Sequence, residues 1–110
     1  MYNQPMYVLT NIESDLIRSR ANQLVNDWIQ QETDYNHILK EVHTIPSCYL
    51  VLHIHLEALN LFIEYISSCN REILSYFGIE KSSPEELDSI ILMLVDGINV
   101  LRERIDQCME

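Results

Sequence analysis

Apolar side chains recur at intervals of three and four residues through three long segments of this chain, a spacing that lays one stripe along one side of an α-helix. In the first segment the stripe is Ile17, Ala21, Leu24, Trp28, Gln31, Tyr35, Ile38 and Val42. In the second it is Leu52, Leu56, Leu59, Ile63, Ile66, Asn70, Ile73 and Phe77, flanked by a parallel row of Val51, Ala58, Phe62, Tyr65, Cys69 and Tyr76. The third carries Leu87, Ile91, Leu94, Ile98, Leu101, Ile105 and Cys108, widened by Ile90 and Val95. With 2 Gly and 3 Pro in 110 residues, little material is left for the turns of a β fold. The expected fold is all-α, one domain over residues 1–110, with 1–9 as an N-terminal arm.

Start and stop signals bracket the segments. Thr10 followed by Glu13 reads as a capping box, and Ser83, Pro84, Glu85 and Glu86 read as a second helix start. Pro46, or Ser47 as cap, marks the start of the middle helix. Gly78 followed by Ile79 is a left-handed C-terminal stop. Thr33 and Asp34 are able to cap a separate short helix if the first one breaks near residue 33. The expected architecture is an elongated antiparallel up-down-up bundle of three long helices, or four with that break, each of the three roughly 25 to 33 residues long. The middle helix is apolar around so much of its circumference that it should be central. The same excess suggests completion by dimerisation along an interface of Leu52, Leu56, Leu59, Ile63, Ile66, Asn70 and Ile73. Asn70 there either pairs with its symmetry mate or turns to the seam edge into solvent. Gly97, in mid-helix, marks a place where a neighbour packs closely.

Charge restricts the partners. Seventeen acidic against 7 basic side chains give a net charge of −10, which repels phosphate backbones and anionic lipid. No direct nucleic-acid binding is expected, and no membrane span, since Glu57, Glu64, Arg71 and Glu72 interrupt the most hydrophobic segment. Residues 1–9 lack a basic start and a following apolar run, and the cysteine count is odd at 3, so a reduced cytoplasmic setting is expected.

No Gly-rich phosphate loop, GxSxG, HExxH or paired ExxH motif is present, so no enzyme and no cofactor are expected. His53 and His55, two apart on a helix, point in nearly opposite directions; His37 with Glu41 and His53 with Glu57 share a face. Folding the helices back brings His43, Cys48 and Cys108 to one bundle end, a weak metal or redox candidate with His37, His53 and Met109 as further donors. Small buried cysteines are more often inert filler. The function expected is a non-catalytic protein-interaction or regulatory module, a homodimer whose acidic surface meets a basic protein partner. Two alternatives stand beside it. One is a nucleic-acid mimic using Asp27, Glu32, Asp34 and Glu41 as a ridge, and the other a small-ligand or metal sensor with Trp28, Tyr65 and Cys69 around a cavity.

Overall fold

The computed structural model describes residues 9–68 and 70–108; the N-terminal arm, apart from Leu9, lies outside them, as do Cys69 and Met109. Among the described residues there are five helices: α1 Asn11–Gln30, α2 Tyr35–Glu41, α3 Tyr49–Ser67, α4 Arg71–Tyr76 and α5 Pro84–Cys108.

α1 begins as its sequence dictates. The Thr10 hydroxyl accepts from the Glu13 amide at 3.1 Å, while the Glu13 carboxylate accepts from the Thr10 amide at 3.1 Å. It stops without glycine or proline. Glu32 adopts φ 51°, the Glu32 amide donates to the Ile29 carbonyl at 3.2 Å, and the Thr33 amide donates to the Trp28 carbonyl at 2.9 Å. These two bonds form a Schellman stop, with a glutamate where glycine is usual. Asp34 then caps α2, accepting from the Asn36 amide. A left-handed conformation costs a residue with a Cβ roughly 1 kcal/mol. Glu32→Gly is therefore expected to raise stability by about 0.5–1 kcal/mol, read as a higher denaturant midpoint with an unchanged slope.

The middle segment breaks too, which the seam pattern did not suggest. α3 starts at Tyr49, three residues past Pro46, and its N-cap, Cys48, makes no side-chain capping bond. It ends at Ser67, after which Asn70 accepts from the Ile73 amide at 3.2 Å as the N-cap of α4. Asn70 is exposed, in keeping with the reading that turns it into solvent, and its side chain serves as a helix cap. α4 closes with the stop its sequence announces. Gly78 has φ +73°, its amide donates to the Ser75 carbonyl at 3.1 Å, and that of Ile79 to the Leu74 carbonyl at 3.1 Å.

The breaks change the topology from the expected up-down-up. Glu13, near the start of α1, acts on Tyr49 and His53 at the start of α3, and Trp28, near its end, packs on Phe62. α1 and α3 therefore run parallel, and the down-stroke between them is α2 plus the connector 42–48. α5 runs antiparallel to α3, with Gly97 beside Leu59 and Cys108 beside Ser47. α3 packs against both α1 and α5, which do not touch one another closely, so its central place is as expected. The bundle measures 50 × 25 × 24 Å.

The seam closes inside this one chain. Leu52, Leu59 and Ile66 are 0–1% exposed and join Val25, Ile38, Leu94 and Leu101 in one core, with Leu56, Ile63 and Ile73 packed half-buried against it. Once α3 stops before Arg71, its 19 residues are long and apolar enough to cross a membrane by length and composition. Here the apolar side chains Leu52, Ala58, Leu59, Phe62 and Ile66 face protein. An aromatic row ties three elements together. Phe62 meets Trp28 at 6.4 Å between ring centroids and stacks on Phe77 at 4.2 Å.

Gly97 does face close neighbours, but not so close as to require glycine. A Cβ there would stand 3.5 Å from Leu59, 3.6 Å from Val42 and 3.7 Å from Leu39, ordinary van der Waals distances. Gly97→Ala should consequently stabilise by about 0.5–1 kcal/mol through helix propensity, raising the melting temperature by a few degrees. A fall would mean that the neighbours cannot give.

Candidate functional site

The outward face of α5 is fixed by how the helix starts. Ser83 and Glu86 form a capping box: the Glu86 carboxylate accepts from the Ser83 amide at 2.9 Å and the Ser83 hydroxyl from the Glu86 amide at 3.2 Å. Hydrogen bonds to the Glu86 carboxylate from the backbone and the side chain of Ser83 lower its pKa by stabilising the charged form. From that start Ile90, Leu94, Ile98, Leu101 and Ile105 turn into the core. Leu92 lies two residues from both Ile90 and Leu94, about 200° around the axis, and so faces solvent. It is 66% exposed, with Val95, one turn on, at 39%. Exposed Glu85, Asp88, Asp96 and Glu103 lie on the same side of the helix, with exposed Arg102 two turns past Val95. Beside it, Ile66 and Ser67 of α3 meet Pro84, Leu87, Asp88 and Ile91 of α5 around a groove of about 290 Å³.

The seam pattern places Val95 on the buried side of this helix, whereas it is 39% exposed; Leu92 was not singled out, although helical register puts it on the outward face. α1 carries a second exposed apolar pair, Ile12, 82% exposed, and Leu16, 39% exposed, one turn apart.

Of the proposed seam interface, Leu52, Leu59 and Ile66 are buried in the chain's own core, Leu56, Ile63 and Ile73 are half-buried and Asn70 is exposed. Of the residues proposed around a ligand cavity, Trp28 is 4% exposed and packed on Phe62, Tyr65 is half-buried and Cys69 lies outside the described residues. Asp27, Glu32, Asp34 and Glu41 do not form one straight ridge, because the reversal at 31–34 folds the set back on itself.

The bundle end holding Cys48 and Cys108 does assemble. The Arg104 guanidinium donates to the Val42 carbonyl at 2.8 Å, to the Ile45 carbonyl, and to the Ser47 hydroxyl at 3.0 Å. One turn later the Cys108 thiol donates to the Ser47 carbonyl at 3.6 Å, next in sequence to Cys48. Among the described residues, no group of three or more His, Cys, Asp and Glu side chains is arranged to hold a metal ion, so His43 completes no ligand set there. No local pattern pointed to Arg104. Its partners lie about sixty residues away in sequence.

His53 occupies the α1–α3 junction, its ring edge-on to Tyr49 at 4.5 Å, beside a groove of about 140 Å³ lined by Leu9, Ser14, Ile17, Arg18, Leu56 and Glu57. Its Nε2 is buried with no hydrogen-bond partner among the described residues. Burial lowers its pKa below 6.5, against an opposing pull from the Glu13 carboxylate. Burial also raises the Tyr49 pKa, with Glu13 adding to the rise. The unfolded chain takes up a proton on this histidine near pH 6.5 more readily than the folded one does. Its contribution to stability is thus fully present above that pH and declines as pH falls below it. Thermal melts from pH 8 to 5 should show a shallower acid-side loss for His53→Gln than for the parent protein. Identical slopes would remove His53 as a cause.

No protein-family model, no curated protein and no solved structure matches this chain.

Proposed function

We propose that this chain is a non-catalytic protein-interaction module that docks a basic protein partner on the outward face of α5. The observation that carries the proposal is Leu92, 66% exposed beside Val95 at 39%, among same-sign carboxylates on a helix whose other face is fully engaged in the core. A large aliphatic side chain in that position gains about 1.5–3 kcal/mol when a partner covers it. The acids beside it and the overall charge of −10 select a basic partner and hasten its approach. A second copy of the chain, the partner expected from the seam, would bring carboxylates against carboxylates at this face.

The test is paired capture from native lysate at low and high salt, using the parent protein and the double variant Leu92→Gln, Val95→Gln. Both positions are exposed, so the variant should melt within a few degrees of the parent. A partner held by the parent, released by salt and lost with the double variant supports the proposal. A partner that the variant retains would place docking elsewhere, with Ile12 and Leu16 the next surface to change.

A further inference from the structure

Two thiols that are 60 positions apart in sequence meet at one end of the bundle. Cys48 is the N-cap of α3, Cys108 is the last residue of α5, and both are exposed free thiols. The antiparallel course of α3 and α5 puts these ends together. The Cys108 sulfur lies 3.6 Å from the Ser47 carbonyl oxygen. In a trans peptide the next Cα sits roughly 3 Å from that oxygen, which puts the Cys108 sulfur within about 6–7 Å of the Cys48 Cα. A disulfide joins Cα atoms about 4.4–6.8 Å apart, and the Cys108 Cα lies up to about 3 Å beyond its own sulfur, so closing the bond takes rotation of both side chains together with a shift of the final helical turn.

We infer that Cys48 and Cys108 are a thiol–disulfide switch, an oxidisable pair whose bridge locks the end of α5 onto the connector 42–48. The reaction partner is a low-molecular-weight disulfide of the oxidised-glutathione class. One protein thiolate attacks it, forming a mixed disulfide and expelling one small thiol. The second protein thiolate then displaces the other small thiol, closing the Cys48–Cys108 bond. Two electrons pass from the protein to the small disulfide, whose halves leave as thiols carrying the two protons. Arg104, one turn before Cys108, already holds the same connector by hydrogen bonds. The bridge adds a covalent tie that closes a loop of about 60 residues and restricts the unfolded chain.

The test is oxidation of the full chain with a graded ratio of oxidised to reduced glutathione, repeated in Cys69→Ser so that the third cysteine cannot contribute. Peptide mapping without reductant should link the Cys48 peptide to the Cys108 peptide within a monomer. Melting should rise by roughly 10 °C or more, return with dithiothreitol, and show no rise in Cys108→Ser. A linkage found only between copies would overturn the inference, as would glutathione adducts that never resolve to the internal bond, or a bridge that leaves melting unchanged.

Discussion

Replacing Phe62 with alanine is expected to cost about 3–5 kcal/mol. Phe62 is completely buried, and its ring touches Trp28 of α1 on one side and stacks on Phe77, just after α4, on the other. Removing it opens a cavity where three separately capped elements converge, and none of the short ones is stable alone. Domains of this size have a net stability of about 5–15 kcal/mol, so the variant should sit near its unfolding midpoint in mild denaturant. Phe62→Leu keeps most of the volume and should lose about 1–2 kcal/mol. If both variants unfold at the parent's urea midpoint, the aromatic row does not hold these elements together.

Arg104→Ala is expected to cost about 2–3 kcal/mol by a different route. The guanidinium is the main hydrogen-bonded tie between α5 and the connector 42–48, bonding two carbonyls and a hydroxyl at once. Truncation leaves the Val42 and Ile45 carbonyls without their charged donor. Lysine supplies one compact ammonium in place of a planar fork, so Arg104→Lys should recover less than half of the loss. Amide hydrogen exchange in residues 42–48 should quicken in the alanine variant while the centre of α3 changes less. Uniform acceleration across the molecule would show that the arginine acts on the whole bundle and not on this connector.

The parts of the fold that could be read from the residues are those decided within four positions of one another. Thr10 with Glu13, Ser83 with Glu86, and Gly78 with Ile79 each satisfy backbone groups through neighbours in sequence, and each is found as read. Of the two breaks, the one near residue 33 was an alternative that the residues left open, while the one before Asn70 escaped. At Glu32 the left-handed turn carries no glycine to announce it, although Thr33 and Asp34 marked the spot where a new helix is able to start. At Asn70 the capping oxygen sits at a seam position, and a periodicity that resumes in α4 carries the eye across the gap. Once both breaks are placed, α1 and α3 must run parallel and the seam turns inward, which no single stretch of sequence could specify.

The functional residues follow the same division. The meeting of Cys48 with Cys108 depended only on α3 and α5 being antiparallel, so it was legible from the turn near Glu80. Arg104 was not, because its partners lie in a connector whose path depends on the break at residues 31–34. Leu92 was legible in principle from helical register, yet it becomes informative only once the remainder of α5 is known to be buried.

The proposed α5 docking face requires that one copy of this chain complete its own core and leave that face open. Light-scattering mass is to be read together with melting at concentrations spanning a hundredfold. A single species of 13.0 kDa whose melting temperature does not depend on concentration is expected. A dimer whose melting temperature climbs with concentration would contradict it, since the apolar surface assigned to a basic partner would then be covered by a second copy.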